Sequence, residues 1–324
     1  MGVVLSTPDT ATQEGWDQAL GRLGSPAPLL QSWGFGEVQA QEGWSVERLT
    51  LPSGGLATVL LQGRGPLRWA YVPRGPVPAT TESVADLVAW ARERQLARLR
   101  VEPEAPIAFG GELRALGFQP STATQPRHTL IVPLADEGTM LASFKPKHRY
   151  NIRLAQRRGV EVRVEQDAAE LKRQSDCTAH RQGISLLGLQ QYQRRLDLLS
   201  SCRIYVARWR GEPLAAIMVA SFGGRAYYLY GGSSDRHRHL MPTYAVQWAA
   251  MRDAAEAGCR DYDLWGIPPS PDPAHPWFGL WQFKTGFGGE QVEYCGAWDL
   301  VFSPLAARID ELTVWARRAV RRIH

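Results

Sequence analysis

One lysine raises the question of chemistry. The chain holds 37 basic residues, yet lysine occurs only at 145, 147, 172 and 284, so arginine is its default cation. Lys284 sits in Phe283-Lys284-Thr285-Gly286-Phe287-Gly288-Gly289, with Trp281 just before it, so aromatic rings and three glycines surround one ammonium. A compact cation with three rotatable donors on a desolvated surface suits negative charge developing on a reacting oxygen. A lysine snorkelling from a strand end beside a glycine turn has the same local pattern. The remaining elements must separate the two.

The densest charge lies elsewhere. Lys145 to Arg158 carries six Lys or Arg and no acid, on a helix predicted to open at Pro146 and stop at Gly159. Arg149, Arg153 and Arg157 are four apart and share one face, with Tyr150 and Ile152 interleaved. A solvated face and a phosphate-binding face both fit this pattern. Net charge of +5 and a pI near 9.1 suit phosphate-bearing substrates better than duplex DNA, and no DNA partner is expected. The four cysteines, at 177, 202, 259 and 295, have neither metal-ligand spacing nor disulfide-scaffold density. His237 and His239 are flanked by Arg236 and Arg238, which oppose a bound cation, so no metal is expected. No apolar run reaches membrane-spanning length and no signal peptide is indicated, so a reduced, cytoplasmic setting is the expectation.

At 324 residues two domains are the prior. Residues 1–30 are polar and broken by Gly and Pro. Three strands follow (44–51, 56–61, 67–72), then a helix capped by Thr80 or Thr81, a strand at 96–101 and a strand at 129–132. The second half repeats the order, with strands at 203–209, 214–222 and 226–230, a helix at 242–257 and a strand at 261–265. Tyr71 with Glu102 and Tyr230 with Asp263 recur at an offset of about 160, which reads as one unit used twice. The period-two rule puts Tyr228 on the strand face of Tyr230. This α/β (α+β) order resembles two GNAT-like acyltransferase domains. The glycine-rich loop that would hold a CoA pyrophosphate is missing from Ser233 to Pro242, which disfavours a CoA donor and leaves no cofactor expected. A C-terminal helix from Ser303-Pro304, ending in Arg317, Arg318, Arg321 and Arg322, reads first as a packing helix returning to the first domain. Its second reading is a surface for RNA or for anionic lipid at the inner face of the membrane.

An ordered series of segments carries a more specific resemblance. It comprises Gln31-Ser32-Trp33, Tyr71-Val72-Pro73-Arg74-Gly75-Pro76, Val101-Glu102-Pro103, Gln125-Pro126-Arg127-His128-Thr129, and Lys147 to Val160. It continues with Tyr230-Gly231-Gly232-Ser233-Ser234, Tyr262-Asp263-Leu264-Trp265-Gly266-Ile267, and Phe283 to Gly288. In order and spacing these resemble the Fem family of aminoacyl-tRNA-dependent transferases that build peptidoglycan interpeptide bridges, in a compact form lacking the coiled-coil arm.

The resemblance implies two GNAT-like domains, residues 1–140 with 298–324 and, interrupting the first, residues 141–297. It implies transfer of an amino acid from aminoacyl-tRNA to a side-chain amine of the stem peptide, on a UDP-linked or lipid-linked muramyl-pentapeptide precursor. It implies that Lys284 contacts the tRNA terminus or the oxyanion, and that Arg181, Tyr192 and Tyr230 hold the precursor, with Tyr228 and Arg74 as further candidates. Lys145, Lys147, Arg149, Arg153 and Arg157 become tRNA contacts, and Glu102 a candidate proton acceptor. Relatives often carry a phosphate-binding lysine after the Gln-Ser-Trp segment, where this chain has Val38-Gln39. A GNAT-like N-acyltransferase for another amine, and a non-catalytic tRNA- or precursor-binding module, remain alternative functions.

Overall fold

The computed structural model describes residues 9–24, 26–182 and 187–303, with the side chains of residues 179–182 excepted. The predicted C-terminal helix lies outside the described residues. The described residues form two compact units, one from residues up to 127 together with 293–303, the other from residues within 128–292.

The first unit begins with α1 (Gln13–Leu23) and α2 (Trp33–Gln41), which periodicity did not suggest because polar residues and glycines dilute their apolar faces. Thr12 caps α1, and the i, i+4 pair Trp16 and Leu20 is buried. A meander follows: β1 (Ser45–Thr50), β2 (Leu56–Gln62) and β3 (Trp69–Pro73). Thr80 caps α3 (Thr81–Glu93), which buries Val84, Leu87, Val88 and Ala91 along one stripe. The chain then adds β4 (Arg98–Glu102) parallel to β3, α4 (Gly110–Ala115) and β5 (Gln119–Ser121).

The second unit holds β6 (His128–Pro133), α5 (Glu137–Ser143), α6 (Pro146–Arg157), β7 (Glu161–Val164), α7 (Ala168–Gln182) and α8 (Leu189–Leu198). Next come β8 (Cys202–Trp209), β9 (Glu212–Phe222), β10 (Arg225–Ser233), α9 (Pro242–Glu256) and β11 (Asp261–Gly266). It ends with α10 (Phe278–Thr285) and β12 (Glu290–Glu293), and β13 (Ala297–Val301) belongs to the first sheet.

The two sheets share one plan. Their orders are β1-β2-β3-β4-β13-β5 and β12-β6-β11-β10-β9-β8-β7. Each has a meander whose last strand pairs in parallel with the strand after a crossover helix, and that strand pairs antiparallel with one from a distant part of the sequence. This is the GNAT-like pseudo-repeat. The first joint falls at 127/128, earlier than the expected 140/141, because β6 hydrogen-bonds to β11 of the second sheet; the second falls at 292/293, between β12 of the second sheet and β13 of the first, where 297/298 was expected. In the second unit α6 and α9 cover one sheet face over an apolar core that includes Phe144, Ile152, Trp248 and Phe287, and α7 and α8 cover the other.

Candidate active site

The parallel ladder between β10 and β11 is short. It covers only Arg225–Tyr227 against Asp261–Asp263, while β10 continues to Ser233 and β11 to Gly266, so the strands part into a fork. At this fork β11 kinks: its register against β6 shifts between Asp263 and Gly266, and Trp265 takes a left-handed φ of +62°. That conformation is unfavourable for a residue with a Cβ. It is held by Asp263, 3% exposed, whose Oδ1 accepts from the Trp265 N–H at 2.7 Å and from the Thr129 hydroxyl.

Lys284 reaches this kink. It lies in the last turn of α10, so the local picture of a strand-end lysine is corrected: a helix carries it, and it is 4% exposed. Its Nζ donates to the Gly266 carbonyl at 2.9 Å and stands 5.5 Å from the Tyr228 ring centroid. Burial pulls its pKa down to about 8, against the opposing pull of the Asp263 carboxylate. The result is a desolvated amine near its charge midpoint.

The tyrosines separate. The register of β10 against β9 shifts between Tyr228, opposite Val219, and Tyr230, opposite Met218. Adjacent residues on β9 face opposite ways, so the bulge puts Tyr228 and Tyr230 on opposite faces, not on one face as the period-two rule implied. Tyr228 packs with the α6–α9 core beside Lys284. Tyr230 meets α8 instead, edge-on to Tyr192 at 5.3 Å, and its hydroxyl accepts from Arg195 Nε at 3.0 Å. Tyr192 is fully buried, and burial raises its pKa. Arg181 lies in the last turn of α7, and its side chain is outside the described ones.

The expected basic helix is α6, with Pro146 at its start and Gly159 (φ +76°) past its end. Pro146, Arg149, Tyr150, Arg153, Gln156 and Arg157 line an open groove of about 590 Å³. Lys147, Arg153 and Arg157 are exposed, as is Tyr150 at 57%. Arg149 differs: its guanidinium is folded back onto the Ala142 and Phe144 carbonyls at the end of α5. Lys145 is exposed, with its Nζ 5.6 Å from the Trp281 ring.

Glu102 and Arg74 belong to the first unit. Glu102 is 1% exposed; its carboxylate accepts from the Tyr71 hydroxyl and from the backbone N–H groups of Thr124 (2.8 Å) and Gln125 (3.0 Å). Burial and this carboxylate push the Tyr71 phenol far up, so it stays a donor. In the second sheet the residue beside Asp263 is Tyr227, and the hydroxyl on Asp263 comes from Thr129, so the two Tyr–carboxylate pairs are not equivalent. Arg74 donates to the Pro126 carbonyl at 2.6 Å and lies 4.3 Å over the Tyr294 ring. Gln31 is fully buried and ties β2 to β3 through Thr58 N–H and Pro73 O, while Ser32 caps α2, so that motif is an architectural joint.

Residues 203–313 match the model of the FemAB family. The lipid II:glycine glycyltransferase of Staphylococcus saprophyticus is 22% identical over 88% of this chain and 91% of its own length. That of Staphylococcus aureus is 23% identical over 88% and 90%. In these comparisons the chain is similar to the Fem family. In fold it is similar to the crystal structure of FemX, with a TM-score of 0.82 and 21% identity over 92% of this chain and 98% of that one.

Two residues of the candidate site were not singled out by the sequence. Arg195 is one of many arginines, and only the packing of α8 on β10 singles it out. His148 lay inside a charge run that drew attention to its neighbours, and α10 packs on it. The glycines after Lys284 face closely packed neighbours. A Cβ on Gly286 would lie 1.7 Å from His148 Cε1, one on Gly288 2.9 Å from Ser143 O, and one on Gly289 2.3 Å from Ile131 O. They make room for this protein's own atoms.

Proposed function

We propose that the protein transfers an aminoacyl group from aminoacyl-tRNA to the side-chain amine of a peptidoglycan stem peptide, with a lipid-linked muramyl-pentapeptide as the first acceptor to test and glycine as the first amino acid. The observation that carries this reading is Lys284: a buried ammonium with one hydrogen bond among the described residues, to Gly266 O, at the fork between β10 and β11. The naming of the staphylococcal relatives as lipid II:glycine glycyltransferases supports the substrate class.

The reaction is aminolysis of an ester. The acceptor amine attacks the ester carbonyl, a tetrahedral oxyanion forms, and the carbon–oxygen bond to the tRNA ribose breaks. The amine gives up one proton and the leaving hydroxyl takes one. No enzyme nucleophile is needed. Lys284 keeps two N–H donors beyond the one on Gly266 O, and in a desolvated site a charged donor stabilises an oxyanion strongly. The exposed cations of α6 and of the residue before it, Lys145, Lys147, Arg153 and Arg157, would take RNA phosphates. Tyr192, Tyr230 and Arg195 would hold the precursor on the other sheet face.

The test is incubation with labelled aminoacyl-tRNA pools and purified lipid-linked and UDP-linked precursors. RNase-sensitive transfer of label to a precursor is the expected result. Absence of transfer with every amino acid and both precursors would remove the reading.

A further inference from the structure

His148 sits in the first turn of α6, 4% exposed, inside the most basic segment of the chain. Its Nε2 lies 2.8 Å from the Phe283 carbonyl oxygen. A carbonyl only accepts, so Nε2 carries the proton and Nδ1 is a bare acceptor. Nδ1 is buried without a hydrogen-bond partner among the described residues. A second proton there would have no acceptor, and burial together with Lys145 and Lys147 holds the imidazole neutral by lowering its pKa. The ring is clamped edge-on by Tyr244 at 4.9 Å and Phe287 at 4.8 Å, and it occupies the space a Cβ on Gly286 would need.

One residue before α6, the Lys145 N–H donates to the Gly286 carbonyl at 2.9 Å. The start of α6 therefore supplies donors to two carbonyls at the C-terminal end of α10, where a helix has no internal partners for its last C=O groups. Between those carbonyls stands Lys284. Its Nζ reaches Gly266 O from the last helical turn, the part that frays first without such partners.

We propose that His148 is a positioning residue for Lys284: by donating from Nε2 to the Phe283 carbonyl it fixes the turn that aims Nζ at Gly266 O and the fork. The inference rests on the reading of Lys284 as the reacting-site lysine. The groove-lining Arg153 and Arg157 are carried on the same rigid helix, so an RNA bound there is held in register with the amine through one packed contact.

His148→Gln and His148→Asn separate this role from general packing. A glutamine amide nitrogen reaches the position of Nε2 and can donate to Phe283 O, whereas asparagine reaches only as far as Nδ1. Transfer kinetics, tRNA affinity and urea midpoints are measured for both. Misplacing a reacting group by about 1 Å costs on the order of 100-fold in rate, so His148→Asn is expected to lose about that much kcat. Its tRNA affinity should be unchanged, and His148→Gln should recover most of the rate. Equal kcat for the two variants, high or low, overturns the proposal. Nitrogen-15 NMR of the wild-type protein at neutral pH decides it even if neither variant folds: His148 should be the neutral Nε2–H tautomer, and an Nδ1–H or doubly protonated ring overturns it. A wild-type protein that transfers nothing fails earlier, taking down the reading of Lys284 and this proposal with it.

Discussion

Replacing Lys284 by Met leaves a side chain of similar length without the charge, and the structure gives the consequence a sign and a size. The folded-state pKa of about 8 lies below the ordinary lysine value of 10.5. Between these two values the unfolded chain holds a proton that the folded chain has released, so wild-type stability rises with pH across that window. Below it, burying the charge costs the folded state about 3 kcal/mol at pH 7, falling to roughly 1.4 kcal/mol at pH 9.5. The Met variant carries no such term. Losing the hydrogen bond to Gly266 O subtracts a pH-independent ~1 kcal/mol from its gain. Urea unfolding of both proteins at pH 7 and pH 9.5 should show the variant at least as stable as wild type at pH 7, with its advantage reduced by about 2 kcal/mol at pH 9.5. Transfer activity should meanwhile fall by on the order of 100-fold or more, the scale of losing one oxyanion donor. A stability gap that stays constant with pH would refute the depressed pKa. A variant with full activity would refute the chemistry.

The charge state of Lys284 can also be read from rate. If it acts as an ammonium, kcat should fall about tenfold from pH 7 to pH 9 as the proton leaves, whereas a neutral lysine taking the amine's proton would give a rising limb. Gly286→Ala drives a Cβ to within 1.7 Å of His148 Cε1, so it should destabilise by about 3 kcal/mol or more, and His148→Ala in the same chain should recover part of that in a double-mutant cycle read by urea unfolding. Changing Arg153 and Arg157 together to Ser should flatten the plot of log tRNA affinity against log salt by about 1.4, near 0.7 per lost cation, and an unchanged slope would place the RNA elsewhere. Glu102→Gln sets an amide N–H₂ against the donors of Thr124, Gln125 and Tyr71, so the loss expected is about 1–3 kcal/mol of stability; a collapse of kcat at wild-type stability would instead make Glu102 the reacting base.

Much of the architecture was legible because it rests on local rules. Thr80 caps α3 where a Thr precedes an apolar stripe, Pro146 and Gly159 bracket α6, and the turn glycines separate the meander strands. Helices α1, α2 and α10 were not legible. Their apolar faces are interrupted by glycine or polar residues, and packing against a neighbour stabilises them more than periodicity announces them.

The candidate site divides along the same line. Residue type and spacing alone marked Lys284 as unusual and Lys145 to Arg158 as a basic face, because scarcity and charge density are properties of the chain itself. Tertiary structure decided the rest. The pKa of Lys284 depends on what desolvates it, namely Tyr228, the β11 kink and α10, which come from separate stretches of sequence. The faces of Tyr228 and Tyr230 depend on one bulged residue, and a bulge is defined only against the partner strand β9. Gly286 has its meaning only once a histidine 138 residues earlier fills the space beside it. Composition is local; desolvation, register and fit are set by contacts between distant segments.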